Sequence, residues 1–267
     1  MNDALSATPT VAGMYDCYLG GTANTAADRA AAERVREACP DIIDGAWANR
    51  GFLQRTVTWM AEHGVRQFLD IGAGLPTQRN THEVVTEVVP DGRVVYVDID
   101  PRVIERGREL LAGTAGTAVI QGDIRRPGEI LGHPEIRELL DFNEPIGLLM
   151  VAVTQFIPDA DDPWALVARY TDAVAPGSYL ALSAPTADMQ AQRIVDAVVD
   201  VYATTPTPGK ERTRDEIERF FTGLEIVPPY EGAEPVVTYV GEWGADDPAL
   251  ADSDGSRWIY AALGRKS

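Results

Sequence analysis

Asp70, Asp98 and Asp123 each close an apolar run: Phe68-Leu69-Asp70, Val94-Val95-Tyr96-Val97-Asp98 and Ala118-Val119-Ile120-Gln121-Gly122-Asp123. The first run leads straight into Gly72-Ala73-Gly74. Without a Cβ, Gly72 and Gly74 let the backbone take unusual conformations and come close to a ligand, while the next helix turns its free N–H groups toward it. That is where an α/β protein binds a nucleotide-like cofactor. Asp98 falls about 25 residues after the glycines, where a ribose is held. Ionised, it can accept hydrogen bonds from both ribose hydroxyls, and Ile99 beside it can cover one face of an adenine. Asp123 can accept from the adenine amino group, with the Ile124 N–H facing a ring nitrogen. Any one of these acids alone could cap a helix, but three in order are hard to explain that way.

The dinucleotide fingerprint requires glycine or alanine where this chain has Thr77, and it has no use for Pro76, so the glycine turn alone is weak evidence for NAD. A strand-end acid followed by Gly-x-Gly is instead how class I S-adenosylmethionine methyltransferases begin. Longer motifs extend that likeness: Tyr15-Asp16 with Tyr18-Leu19-Gly20-Gly21, Asn24, Ala27-Asp28-Arg29, Asn49-Arg50-Gly51-Phe52-Leu53, Gly74-Leu75-Pro76-Thr77, Asn80-Thr81-His82-Glu83-Val84 and Ala175-Pro176-Gly177-Ser178-Tyr179-Leu180. Over nearly its whole length the chain resembles the S-adenosylmethionine-dependent methyltransferases found mostly in actinomycete genomes.

The resemblance implies an α/β fold of the Rossmann-like class I type: a mostly parallel sheet of seven strands with helices on both faces, and a helical cap ahead of it. It implies S-adenosyl-L-methionine as cofactor, transfer of its methyl group to a small-molecule acceptor, and release of S-adenosylhomocysteine. Cofactor contacts are expected from Asp70, Gly72, Ala73, Gly74, Asp98, Ile99, Asp123 and Ile124, from Val153 and Thr154 after the fourth strand, and from Gly21, Asn24 and Arg50 in the cap. Arg50 can grip the amino-acid carboxylate at two points or, alternatively, cap or bridge helices. Thr22, Ala23 and Thr25 depart from the family pattern, which has a lysine, an aspartate and an aromatic there. They keep open a second activity, in which S-adenosylmethionine is itself the substrate and is cyclised or cleaved to methylthioadenosine.

The sulfonium methyl is already activated, so transfer needs mainly an aligned nucleophile and exclusion of water. A base helps only if the acceptor must lose a proton. Catalytic candidates are His82, Tyr15 and Tyr18, with Gln155 beside Thr154 as a polar positioner. Near a helix N-terminus His82 stays neutral, as a base must, although a histidine there can also serve structure alone. Asp159, Asp161 and Asp162 resemble a metal cluster by count; they read better as a solvated loop with Asp162 capping the helix that starts near Pro163.

The elements that must position these residues alternate. Helices over Asp28 to Cys39 and Ala46 to His63 precede strands at 67–71, 94–98, 117–121, 146–153 and 178–184. Helices are expected near 80–89, 101–112, 128–140, 162–175, 186–203 and 212–221, and an antiparallel pair at 235–240 and 257–264 ends the sheet. Residues 1–64 read as a cap within the same domain as the Rossmann-like unit at 65–267. The 267 residues, 45% hydrophobic, are enough for a substantial core. Lys+Arg 23 against Asp+Glu 41 gives a net charge of −18, which disfavours a nucleic-acid partner. Two cysteines among three histidines offer neither a disulfide framework nor a zinc site, and no metal is expected. There is no signal peptide or membrane-spanning window, so a cytoplasmic enzyme is expected; monomer and homodimer both stay open.

Overall fold

The computed structural model describes residues 8–76 and 79–267, so Thr77 of the glycine-loop motif lies outside the described residues. Three helices come first: α1 (Val11–Tyr18), α2 (Ala26–Ala38) and α3 (Ile42–Glu62). Strands and helices then alternate through β1 (Gln67–Ile71), α4 (Thr81–Val88), β2 (Arg93–Asp98), α5 (Pro101–Leu110), β3 (Thr117–Gln121), α6 (Pro127–Leu131), α7 (Pro134–Leu139), β4 (Gly147–Val151), α8 (Pro163–Ala173), β5 (Tyr179–Pro185) and α9 (Gln192–Tyr202). The tail adds α10 (Arg214–Glu218), β6 (Glu225–Ile226), β7 (Thr238–Tyr239), α11 (Pro248–Ala251) and β8 (Ile259–Arg265). Local chemistry sets the starts: Thr25 and Asp28 form a capping box on α2, Asp100 caps α5 ahead of Pro101, and Asp162 caps α8.

One sheet runs in the order β3-β2-β1-β4-β5-β8-β6, with β7 also paired to β8. The pairs from β3 to β5 are parallel and those of β8 antiparallel. The expected seven strands become eight because β6 and β7, two residues each, share one edge of β8. Other expected elements end early. Gly132 and Pro134 split the helix expected over 128–140 into α6 and α7. The strand expected to 153 stops at Val151 because Ala152 takes a φ of +52°.

Strand alternation divides the core. Leu69, Ile71, Val95 and Val97 face the cluster beneath α6–α8, whereas Phe68 and Val94 face α3 and α4 with Phe52, Val57 and Met60. Asp70 shares the face of Phe68, and Tyr96 and Asp98 share that of Val94, so all three look toward α3 and α4. The helices α1 and α2 build their own cluster from Met14, Tyr18, Leu19, Ala31 and Val35, closed by Val201 of α9. Among the described residues no helix is long and apolar enough to cross a membrane. Cys17 and Cys39 are free thiols.

Candidate functional site

The carboxyl end of β1 meets the glycine turn in a tight backbone arrangement. The N–H groups of Gly72 and Ala73 both donate to the Val97 carbonyl, at 2.8 and 3.2 Å. Gly72 has φ +76°, and a Cβ there would sit 2.3 Å from Val153 Cγ2, so conformation and space both require glycine. Gly74, at φ +68°, has open space around it and turns its N–H to Asp98 Oδ2 at 2.9 Å.

Two carboxylates flank this turn. Asp70 is buried and lies level with Tyr96 across the β1–β2 ladder. Burial pushes its pKa up to about 6, against the Thr81 hydroxyl, which donates at 2.7 Å, and the nearby Arg50 cation; the Asp98 charge adds to the rise. Asp98 is also raised, first by burial, and is held by the N–H groups of Gly74 and Asp100. Ile99, 43% exposed, stands open beside it.

Arg50 of α3 reaches the same cleft and donates to Asn80 Oδ1 at 3.4 Å. Asn80 begins α4, and its own N–H is taken by Glu83 Oε2 at 2.6 Å. Of the expected residues, Arg50, Asp70, Ala73, Gly74, His82 and Asp98 line one cleft, together with Asn80, Thr81 and Tyr96. From the sequence, Tyr96 is a strand residue with no assigned role. The available signal was the two-residue period that sets it on the face of Asp98.

His82 lies in that cleft, but its ring is tied down. The Tyr96 hydroxyl accepts the His82 backbone N–H at 2.7 Å and lies 2.8 Å from Nδ1. The phenol oxygen, with one proton and two lone pairs, takes the N–H and still bonds Nδ1 of a neutral imidazole in either tautomer. Burial lowers the His82 pKa and favours this neutral form. Of the two ring nitrogens, Nδ1 is therefore engaged.

The expected adenine end is partly self-satisfied. Asp123 forms a two-point pair with Arg125 at 2.6–3.0 Å, and the Ile124 carbonyl accepts from the Tyr170 hydroxyl at 2.8 Å. Gly21 and Asn24 are drawn into the loop between α1 and α2. Asn24 Nδ2 donates to Asp16 Oδ2 at 2.7 Å and to the Gly21 carbonyl at 2.8 Å, and a Cβ on Gly21 would lie 2.0 Å from Asp16 Oδ1. In the departing segment, Ala23 gives its N–H to Asp16 and Thr25 caps α2.

A second group gathers where β4 ends. Ala152 turns the chain out of the sheet, and its N–H donates to Ser183 Oγ at 3.0 Å. Ser183 Oγ donates to Asn49 Oδ1 at 2.6 Å, Asn49 Nδ2 to the Tyr15 hydroxyl at 3.0 Å, and Tyr15 to the Ala46 carbonyl at 3.1 Å. Tyr15 thus joins a relay across α1, α3 and β5, and burial raises its pKa. Tyr18 packs in the α1–α2 cluster beside Tyr202, its pKa raised far above the ordinary value, first by burial. Val153 meets Gly72, and Gln155 Nε2 donates to the Ala152 carbonyl at 2.8 Å. Thr154 Oγ1 and Gln155 Oε1 are buried with no hydrogen-bond partner among the described residues. Asp159, farther along, pairs with Lys210 and with Arg212, the latter at 3.0 Å.

Set beside known proteins, the chain matches the family described as S-adenosyl methyltransferase over residues 3–267. A provisionally assigned methyltransferase from Thermobifida fusca is 40% identical, with 98% of this chain and 96% of that one covered at a TM-score of 0.89. A DUF574 family protein from Streptomyces avermitilis is 38% identical over 97% of this chain and 98% of its own, also at 0.89. An O-methyltransferase family protein from Burkholderia thailandensis shares the fold alone: 12% identity, TM-score 0.50, covering 83% of this chain and 59% of that one. Comparison with curated proteins finds no match.

Proposed function

The chain belongs to the S-adenosyl methyltransferase family and takes its methyl group from S-adenosyl-L-methionine; on that premise we propose that it methylates a small molecule and binds the donor in the cleft between Asp70 and Asp98. The observation that carries this is the pairing of charges around the glycine turn. Arg50 and Asp70 present opposite charges in one cleft, matching the carboxylate and ammonium of the donor's amino-acid end. Asp98 holds the ribose hydroxyls through its remaining lone pairs, and Ile99 covers the adenine. Asp123 and Ile124 take the adenine edge, which requires Asp123 to share or exchange its Arg125 contact. When bound, S-adenosyl-L-methionine supplies an activated methyl group.

The protein's own part is binding, orientation and exclusion of water. Asp70, desolvated and raised to about 6, gains a further counter-charge from the ligand ammonium. Val153 fixes the glycine turn, and Gln155 and Thr154 offer acceptor atoms at the end of β4 to an acceptor's O–H or N–H donors. Tyr15 and His82 act as positioning groups, because the Tyr15 hydroxyl and the His82 Nδ1 already have partners. Residues 8–64 serve as the cap, within the expected 1–64 segment. A net charge of −18 favours a small acceptor over a polyphosphate backbone and keeps nucleic acid out. The test is product analysis of S-adenosylmethionine incubated with the enzyme and a pool of small metabolites. S-adenosylhomocysteine matched by a new methylated metabolite is expected. Methylthioadenosine without any methylated product would overturn the proposal.

A further inference from the structure

The Asp28 side chain lies wholly out of solvent among the N-terminal helices. A buried carboxylate is stable only when paired and hydrogen-bonded. Asp28 Oδ1 accepts the Thr10 N–H at 2.8 Å, and Oδ2 accepts the N–H and hydroxyl of Thr25 at 2.7 and 2.8 Å. Its cation comes from another part of the fold: Arg102 of α5 donates through Nη1 to Oδ2 at 3.0 Å, and its Nη2 reaches the Thr10 hydroxyl. Burial works to raise the Asp28 pKa, and these bonds, that of Arg102 first, outweigh it and hold it below the usual carboxylate range. Gly13 of α1 packs so closely that a Cβ there would lie 2.2 Å from the Asp28 Cγ. Through one carboxylate, α1 and α2 are fastened to each other and to α5.

The turn that leads from Asp98, at the end of β2, into α5 is short and hydrogen-bonded. Asp98 Oδ1 accepts the Asp100 N–H at 2.9 Å, and Asp100 Oδ1 accepts the Arg102 N–H at 2.8 Å. One short turn therefore carries both the carboxylate assigned to the ribose and the guanidinium that holds the N-terminal helices. At the far end Tyr15 ties α1, through Asn49, to Ser183 on β5. The sheet order places β1 and β4 between β2 and β5. The two ties, Asp28–Arg102 beside β2 and Tyr15–Asn49–Ser183 at β5, therefore lie on either side of the two strands that carry Asp70 and the β4 turn.

We infer that the Arg102–Asp28 ion pair is a positioning contact that couples a nucleoside held at Asp98 to the docking of α1 and α2 across the pocket. The inference rests on the assignment of Asp98 to the ribose. A ligand that fixes the Asp98–Asp100 turn fixes the Arg102 backbone and so favours the docked helices; docked helices favour the ligand in equal measure. Three proteins test it: wild type, Arg102→Lys and the double variant Asp28→Asn, Arg102→Met, which removes both charges without stranding either one. S-adenosylhomocysteine affinity is measured by calorimetry, and amide exchange is followed over 11–18 and 26–38 with and without that ligand. In the wild type the ligand should slow exchange in both helices. In the double variant affinity should fall about tenfold and the helices should lose that response, while β1 and β2 keep it. Arg102→Lys, which keeps the charge and loses the two-point contact, should fall between, and it carries the comparison if the double variant folds poorly. Wild-type affinity with the helix response intact in both variants would make the pair a structural tie and overturn the inference alone. A wild type that binds no S-adenosylhomocysteine would overturn the ribose assignment, and the inference with it.

Discussion

The carboxyl edge of the sheet is finished differently at its two active positions. At β1 and β2 the carboxylates are seated by backbone N–H groups, by Thr81 and by nearby Arg50, and the glycine turn is locked onto Val97. At β4 the chain leaves the sheet through a left-handed alanine, and two buried polar atoms, Thr154 Oγ1 and Gln155 Oε1, lack partners among the described residues. Under the proposed function, the difference separates a preformed donor half from a half left for the acceptor. The donor is common to the whole family, so its half can be built into the backbone. Fold and cofactor do not fix the acceptor, and in the proposed function its half keeps the hydrogen-bonding capacity of Thr154 and Gln155 in reserve at some cost in stability.

The largest expected effect comes from breaking the preformed half at its tightest point. Gly72→Ala must place a Cβ against Val153 at φ +76°, and should cost about 2–4 kcal/mol of stability and abolish donor binding. Adding Val153→Ala should recover part of the stability in thermal melts, because it removes the clash and leaves the backbone strain.

Asp70→Asn separates stability from binding. The Asp70 pKa is raised in the folded state, so its contribution is fully present below the unfolded value near 4 and is lost as pH rises through about 6. The ligand-free wild type should therefore lose stability across that window, and Asp70→Asn should flatten the loss. At pH 7 the variant should be about 1–3 kcal/mol more stable than wild type, yet bind the donor about tenfold more weakly. Denaturant melts at pH 4.5 and 7, set beside a donor titration, check both signs.

On the β4 side, Thr154→Val should leave donor affinity within about twofold and stabilise the ligand-free protein by up to about 1 kcal/mol, since it replaces an orphaned hydroxyl with a methyl group. A fall in stability would mean that the hydroxyl has a partner, and the contrast between the halves would weaken. The smallest effect is expected at His82. With Nδ1 turned to Tyr96, His82→Asn should change kcat by about threefold at most, and the pH profile should show no step near the ordinary histidine value. A hundredfold loss with such a step would restore His82 as the base.

The preformed half was the legible one. Strand-end acids and a glycine turn leave a local pattern, and the order of elements followed from alternating periodicity. The breaks came where tertiary contacts decide: Gly132 and Pro134 cut a helix, and the seventh sheet position is shared by two short strands that only β8 defines. Gly21 and Asn24 read as cofactor contacts because their motif is long, whereas Asp16 is what gathers them. The Tyr15–Asn49–Ser183 relay includes a hydrogen bond between residues 134 positions apart, a span over which no local pattern runs. Tyr96 was within reach, since a strand places it on the face of Asp98.

The cleft between Asp70 and Asp98 is tested most directly by calorimetric titration with S-adenosylmethionine and S-adenosylhomocysteine, run with wild type, Asp98→Ala and an NAD control. We expect both sulfur ligands to bind the wild type, Asp98→Ala to bind them about a hundredfold more weakly for want of two charge-assisted hydrogen bonds, and NAD not to bind. Equal affinity in Asp98→Ala, or binding of NAD in place of the sulfur ligands, would contradict the assignment.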